Sequence, residues 1–412
     1  MRTLERVVLA LTFVLSIRAG WPAQSSAPAA PPASPACHAG VYRLADGSVA
    51  GFGISFGSCG ERTINFAGVR GQAVELDIRD TSFTSGDVTL RGRLVLPAGF
   101  GQVPIIVLGH GSGRRSALAH AWQQRAFPAA GEGVFVFDKR GTGGSGGRYT
   151  QNFEVLAEDV VAAVAEARRL AGGRAGRVGL SGVSQAGWVL PPAATLTPVD
   201  FIIINSGVAG SVAEEDRNET LHALGRKGWS DEVLARARRL SEAVEVVLAS
   251  RGKTGIESLK SLVTTYSAEP WFDDLAALDT PTGGMARLVQ SMSLAQLRER
   301  AANTDWTDSA PWHVDSAEAL RAQQAPVLWL IAADDSAGPG PETPHNLLAV
   351  RRSGLPVTIL RFPGTEHGVL EYRVLPDGTR QDLRYAEGSV KAELDFAIHG
   401  RLSGSYGNSE RL

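Results

Sequence analysis

Val103 to Leu108, Val134 to Phe137, Phe201 to Ile204 and Val327 to Ile331 are runs of four to six residues without a polar side chain. A strand with one wet face alternates apolar and polar residues, whereas a strand covered on both faces reads as such a run. Helical periodicity fills the gaps between them. Leu118 to Ala129 reads as a helix, and Phe153, Leu156, Val160, Val164, Ala167 and Leu170 form a stripe with a recurrence of three or four, closed by Gly172 and Gly173. Val178 to Leu180 and Val357 to Leu360 add two strands, His345 to Arg352 and Ser389 to Ala397 two helices, and Val88 to Leu96 an alternating strand. Strand and helix in alternation predict an α/β chain, with a mostly parallel sheet and helices on both faces.

The alternation stops between Val208 and Gln324. Asp231 to Ser250 and Leu294 to Ala302 read there as amphipathic helices, so residues 208–324 are expected to form a helical cap, with the sheet domain split into 80–207 and 325–400. On the longest of these helices Val233, Ala237, Leu240, Val244 and Leu248 make one stripe, expected to face the mouth of a site. Trp271, Phe272, Trp306 and Trp312 are candidate pocket residues, although large residues in a cap also serve as its own core. Residues 37–79 carry short β-like runs, Val41 to Arg43, Gly51 to Phe56 and Thr63 to Phe66, and are expected to form a small β-rich module. Residues 401–412 read as a disordered tail.

The beginning of the chain reads as an export signal. Met1 to Arg6 is basic, Val7 to Ile17 is apolar but short for a mature membrane span, and small residues follow, so residues 1–26 are expected to be cleaved and 27–36 to be an Ala/Pro/Ser linker. That predicts a secreted or periplasmic protein with no stable membrane insertion after cleavage. Cys37 and Cys59 are the only cysteines, and in an oxidising compartment they are expected to pair, a constraint of about 3 kcal/mol for a loop of about 20 residues. A net charge of −2, with both signs interspersed, provides no basic stripe for nucleic acid.

Gly182-Val183-Ser184-Gln185-Ala186-Gly187 follows a predicted strand and opens a predicted helix. A serine on so sharp a turn needs small residues two positions before and after it, here Gly182 and Ala186, so Ser184 is the candidate nucleophile. Oxyanion donors are expected at the Gln185 N–H and, in His110-Gly111-Ser112-Gly113 after the strand ending at Leu108, at the Ser112 N–H. His110 lies on that side and reads as structural. His367, on the loop after the last buried strand, is the candidate base, and the chain order serine, acid, histidine distinguishes it from the other seven histidines. The acid lies at the end of Val327 to Asp335, where Asp335 is preferred and the adjacent Asp334 stays open.

These motifs, with Phe83-Thr84-Ser85, Leu90-Arg91-Gly92 and Asp138-Lys139-Arg140-Gly141-Thr142-Gly143-Gly144-Ser145, resemble the α/β-hydrolase superfamily from about Asp80 to Gly400. Within it the chain resembles bacterial members akin to dienelactone hydrolase and to the C-terminal domain of acyl-CoA thioester hydrolase/bile-acid acyltransferase. The resemblance implies an α/β-hydrolase fold and a structural role for the glycine-rich loop, with Arg140 paired to a carboxylate. That loop lacks the Gly-Lys-Ser/Thr ending of a P-loop and the dinucleotide fingerprint, so no nucleotide cofactor is expected, and two-step acyl transfer on a serine requires no metal or organic cofactor. The expected substrate is a small-molecule acyl ester, with thioester, lactone and peptide open; a binding module without catalysis is the competing class.

Overall fold

A computed structural model describes residues 42–44, 49–50, 63–66, 69–99, 101–337 and 340–412. The expected signal, the linker, Cys37, Cys59 and the run Gly51 to Phe56 lie outside the described residues.

Nine strands form the main sheet. Its central six, in spatial order Val357–Phe362, Val327–Ala332, Ile202–Asn205, Ala175–Val183, Val103–Gly109 and Gly133–Phe137, are parallel neighbours. Val88–Pro97 and then Leu76–Ser85 extend it antiparallel on one side, and Glu410–Arg411 extends it on the other. This is the architecture of the α/β-hydrolase fold.

The apolar runs divide their side chains as doubly covered strands must. Ile105, Val107, Ile202, Ile204, Val327 and Trp329 join one core, which includes the helices Phe153–Ala171 and Ala186–Leu196. Ile106, Leu108, Ile203, Leu328 and Leu330 join a second core with Phe127, Ala392 and Phe396, on the helices Gln123–Ala130 and Ser389–His399. The expected helix from Leu118 to Ala129 is two, Ala117–His120 and Gln123–Ala130.

Between Asn205 and Val327 stand seven helices, Val212–Arg226, Asp231–Ala249, Ile256–Tyr266, Pro270–Ala276, Pro281–Ser291, Leu294–Asn303 and Ser316–Ala322. The two ends of this insertion are tied at its neck. Ser316 Oγ donates to Val208 O at 2.7 Å and accepts from Gly210 N at 3.1 Å, while Ser211 bridges Asp315. The cap has its own packing. Trp271 and Phe272 are fully buried and edge onto each other, with Tyr266 5.3 Å from Trp271, and Trp306 lines a cavity of about 30 Å³ with Val247, Ile256, Leu259 and Met285. The large rings of the cap have here found each other.

The chain end departs from expectation. Leu402 and Tyr406 are buried, Tyr406 donates to Asp395 Oδ2 at 2.7 Å, and Glu410–Arg411 pairs with Leu360 and Arg361. Residues 401–412 are docked rather than a disordered tail. Two apolar anchors sufficed where the Gly- and Ser-rich composition suggested disorder. At the other end, Val49–Ala50, Tyr42–Leu44, Val69–Ala73 and Thr63–Phe66 form an antiparallel sheet of four strands.

Candidate active site

Ser184 leaves the central strand Ala175–Val183 with φ of 57°, a left-handed conformation that few non-glycine residues adopt. Close approach makes the turn possible. A Cβ on Gly182 would stand 2.4 Å from Ala186 Cβ and 2.9 Å from Gly109 O, so a side chain there would force strand and helix apart. Ser184 N donates to Asn205 O at 2.9 Å, and Gln185 begins the helix Ala186–Leu196. Ser184 is buried to 7% exposure, and Gln185 to 2%.

The histidine loop hangs from the same neighbouring strand. Gly368 N donates to Ser206 Oγ at 2.9 Å and Asn205 Nδ2 donates to Gly368 O at 3.4 Å, so Asn205 and Ser206 hold both the serine turn and the His367 loop. His367 Nδ1 lies 3.0 Å from each carboxylate oxygen of Asp335. Asp334 is occupied elsewhere: its Oδ2 accepts from Tyr372 Oη at 3.1 Å, and its carbonyl from Arg380 at 2.6 Å. The two aspartates at the strand end thus face different partners, and only Asp335 meets the imidazole. Nδ1 is engaged, and the other ring nitrogen, Nε2, is buried without a hydrogen-bond partner among the described residues.

Carboxylates crowd this side. Burial pulls the His367 pKa down, but Asp335, by charge and hydrogen bond, with Glu366 and Glu219, more than offsets it, and the net displacement is upward. Glu366 accepts from Ser336 N and His367 N and pairs with Arg380; burial pushes its pKa up, but the Arg380 and Ser336 hydrogen bonds prevail and hold it low. The cap contributes two more acids from Val212–Arg226. Burial, then the charges of Glu219, Asp335 and Asp216, push Glu215 well above the usual carboxylate range. Burial, with Asp216, Asp279 and Asp335 against the opposing pull of His367, pushes Glu219 up to about 8. Glu215 and Glu219 were not singled out from the sequence. Their i, i+4 spacing on one helix face was the available signal.

The opposite side carries the loop after Val103–Gly109. A Cβ on Gly111 would lie 3.6 Å from Val183 O and 3.9 Å from Ser184 Cβ, so the His110-Gly111-Ser112 segment rests against the serine turn. Ser112 is 8% exposed, and Tyr149 Oη donates to its carbonyl. Lys139 Nζ donates to Gly111 O at 2.8 Å and, at 3.5 Å, to Gln185 Oε1; Gln185 Nε2 donates to Gln151 Oε1, and Gln151 Nε2 to Tyr149 Oη. Burial, then the charge of Lys139, hold His110 down to about 3, so its imidazole is neutral and it packs 4.8 Å from the Phe137 ring.

The glycine-rich loop is built around the Asp138 carboxylate. Asp138 Oδ1 accepts from Ser116 Oγ at 2.8 Å and Leu118 N at 3.1 Å, and Oδ2 from Gly144 N at 2.9 Å. A Cβ on Gly143, which has φ of 51°, would fall 1.9 Å from Asp138 Oδ2. Arg140 makes a two-pronged pair with Asp159 at 2.6 and 2.8 Å. Among the described residues no group of three or more His, Cys, Asp or Glu side chains is arranged to hold a metal ion, and no helix is long and apolar enough to cross a membrane.

With the geometry in view, the sequence matches the X-Pro dipeptidyl-peptidase (S15 family) over residues 85–352, a stretch that contains Ser184 and Asp335 and stops short of His367. No curated protein resembles the chain in sequence. Among solved structures, an esterase of Pyrococcus furiosus is similar at 14% identity and a TM-score of 0.42, over 71% of this chain and 84% of that one. An acylaminoacyl peptidase of Pyrococcus horikoshii is similar at 15% identity and a TM-score of 0.42, over 71% of this chain and 38% of that one. A bacterial brefeldin A esterase is similar at 18% identity and a TM-score of 0.41, over 77% of this chain and 73% of that one.

Proposed function

The chain belongs to the X-Pro dipeptidyl-peptidase (S15) family of α/β-hydrolases, and on that premise we propose that it cleaves carboxylic ester-type bonds through a serine acyl-enzyme. The observation that carries the reading is the left-handed Ser184 turn held by Asn205 and Ser206, the segment that also holds the loop of His367 and its partner Asp335.

In this mechanism Ser184 Oγ attacks the acyl carbonyl while its proton passes to His367 Nε2, the buried nitrogen without a hydrogen-bond partner among the described residues. Asp335 holds the proton on Nδ1 and so keeps Nε2 basic. The Gln185 and Ser112 N–H groups receive the oxyanion. Collapse of the tetrahedral species breaks the bond to the leaving group, which takes the proton from His367. Water, deprotonated at the same nitrogen, then releases the acid and restores the serine.

A second reading, removal of an N-terminal dipeptide, is favoured by Glu215 and Glu219. Burial first, and then neighbouring carboxylates that include Asp335, push both toward the neutral acid, and a bound ammonium would hold them ionised by supplying the opposite charge. The deciding experiment compares kcat/KM for p-nitrophenyl acetate with that for Ala-Pro-p-nitroanilide, free and N-acetylated. The ester reading expects the acetate to be turned over at least about 100-fold better, since an ester is the more reactive acyl donor and no amine is needed. Preference for the free-amine anilide, lost on acetylation and in Glu215→Gln, would transfer the conclusion to the peptidase.

A further inference from the structure

We infer that Lys139, seconded by Tyr149, is a positioning group that orients and polarises the Gly111–Ser112 peptide as an oxyanion donor. This rests on the acyl-transfer reading above and adds a residue to it.

The argument begins with the peptide unit. Its C=O and N–H lie in one plane, and in a trans peptide they point in opposite directions. Among the described residues no peptide bond is cis. The oxygen that Lys139 Nζ grips at 2.8 Å, Gly111 O, belongs to the same peptide as the Ser112 N–H. Anchoring one end of that unit aims the other. Tyr149 Oη grips Ser112 O, the carbonyl of the next peptide, so two successive units are held.

Neither anchor is free to swing. Lys139 also reaches Gln185 Oε1, Gln185 holds Gln151, and Gln151 holds Tyr149, which closes a circuit from residue 111 through 139, 185, 151 and 149 back to 112. The circuit joins the side chain of one expected donor residue, Gln185, to the backbone of the other, Ser112. Gln151 N in turn donates to Asp308 O at 2.8 Å, which fastens the circuit to the cap.

Charge supplies the second half of the case. An ammonium donates a hydrogen bond roughly twice as strong as a neutral donor, and a proton donor on the carbonyl polarises the amide so that its N–H donates better in turn. Lys139 is 4% exposed, and its contacts are a carbonyl, an amide oxygen and the Tyr149 ring at 5.0 Å, none of them an anion. A cation buried without a counter-charge is expensive. Its ammonium is accordingly pulled down, by burial and then by Arg114, to about 7. The negative charge that forms on the acyl oxygen would appear one peptide away, as the counter-charge missing in the resting site.

The test measures Lys139→Met and Tyr149→Phe in the full chain, with p-nitrophenyl acetate as substrate and phenylboronic acid as the tetrahedral mimic. Lys139→Met is expected to lower kcat about 10- to 100-fold with KM within about threefold, and to weaken the boronate by a similar factor. Tyr149→Phe, which removes only a hydroxyl and so keeps the test alive if the lysine variant fails to fold, is expected to lower kcat about 3- to 10-fold with the same signature. A folded Lys139→Met protein with kcat within twofold of wild type, a loss confined to KM, or unchanged boronate affinity would each overturn the assignment. If instead wild-type Ser184 fails to react with a fluorophosphonate, the acyl-transfer reading itself fails, a result distinct from failure of the brace.

Discussion

The two sides of Ser184 are built with opposite electrostatic character. Toward the loop of Gly111 and Ser112 lie the buried Lys139, a His110 kept neutral and a chain of amides and hydroxyls. Toward His367 lie Asp335, Glu366 and, from the cap, Glu215 and Glu219. In the proposed mechanism acyl transfer separates charge along the same line, with an anion where the first set stands and an imidazolium where the second stands. A site arranged in this way needs little reorganisation when the charges form. The comparison teaches that burial alone does not explain the shifted groups: it depresses both Lys139 and His367, and only on the carboxylate side is it overcome.

The strongest way to break this picture is at the residue between the two sides. Ser184→Ala is expected to lower kcat for p-nitrophenyl acetate on the order of 10⁴-fold or more, with the thermal midpoint little changed. Residual turnover near wild type in the folded variant would leave both sides without a reaction to serve. Next in size is the exchange of a single carboxylate. Asp335→Asn should cost on the order of 10³- to 10⁴-fold in kcat because the amide favours the wrong imidazole tautomer, whereas Asp334→Asn, whose contact is Tyr372, should cost a few-fold at most. Equal losses at the two positions would remove Asp335 from its assigned place.

The smallest effect sharpens the comparison through pH. As the base of the proposed mechanism His367 must be neutral to accept a proton, so kcat/KM should fall as pH drops through its pKa, which stands above the ordinary 6.5. Glu366 is one of the charges holding it up, after Asp335. Glu366→Gln keeps an acceptor for Ser336 N and removes the charge, so the acidic limb of the profile should move to lower pH while the plateau changes little. A limb that stayed in place, or moved upward, would mean that the carboxylate side does not set the basicity of the imidazole.

How much of this could be read from residues alone follows the range of the interactions. Ser184 and its small neighbours Gly182 and Ala186 belong to one turn, and the apolar runs report their own double coverage, so both were visible in a few consecutive letters. Asp334 and Asp335 are adjacent, and composition cannot say which of two neighbours points at a residue 32 positions away. The two hydrogen bonds of Lys139 reach residues 28 and 46 positions away, and a lysine after an apolar strand end gives no sign of turning inward. The cap was legible as helices but not as faces: Trp271 and Phe272 suit a pocket and a core equally well, and packing among seven helices decides for the core. Leu402 and Tyr406 were masked by the glycines and serines around them.

The pairing of Glu410–Arg411 along Val357–Phe362 bears on how the molecule behaves in a crowd. A bare strand at the border of a sheet is a row of unused backbone donors and acceptors that another chain can join. Here Leu412 N donates to Ile359 O at 3.2 Å, and Arg351 clasps Leu412 O at 2.7 Å, so the short strand is latched over that border. Because Val357–Phe362 would otherwise stand at the border of the sheet, the latch works as a guard against self-association. Any change that lifts it would open a sticky seam at the border of the sheet, and loss of solubility is the expected result.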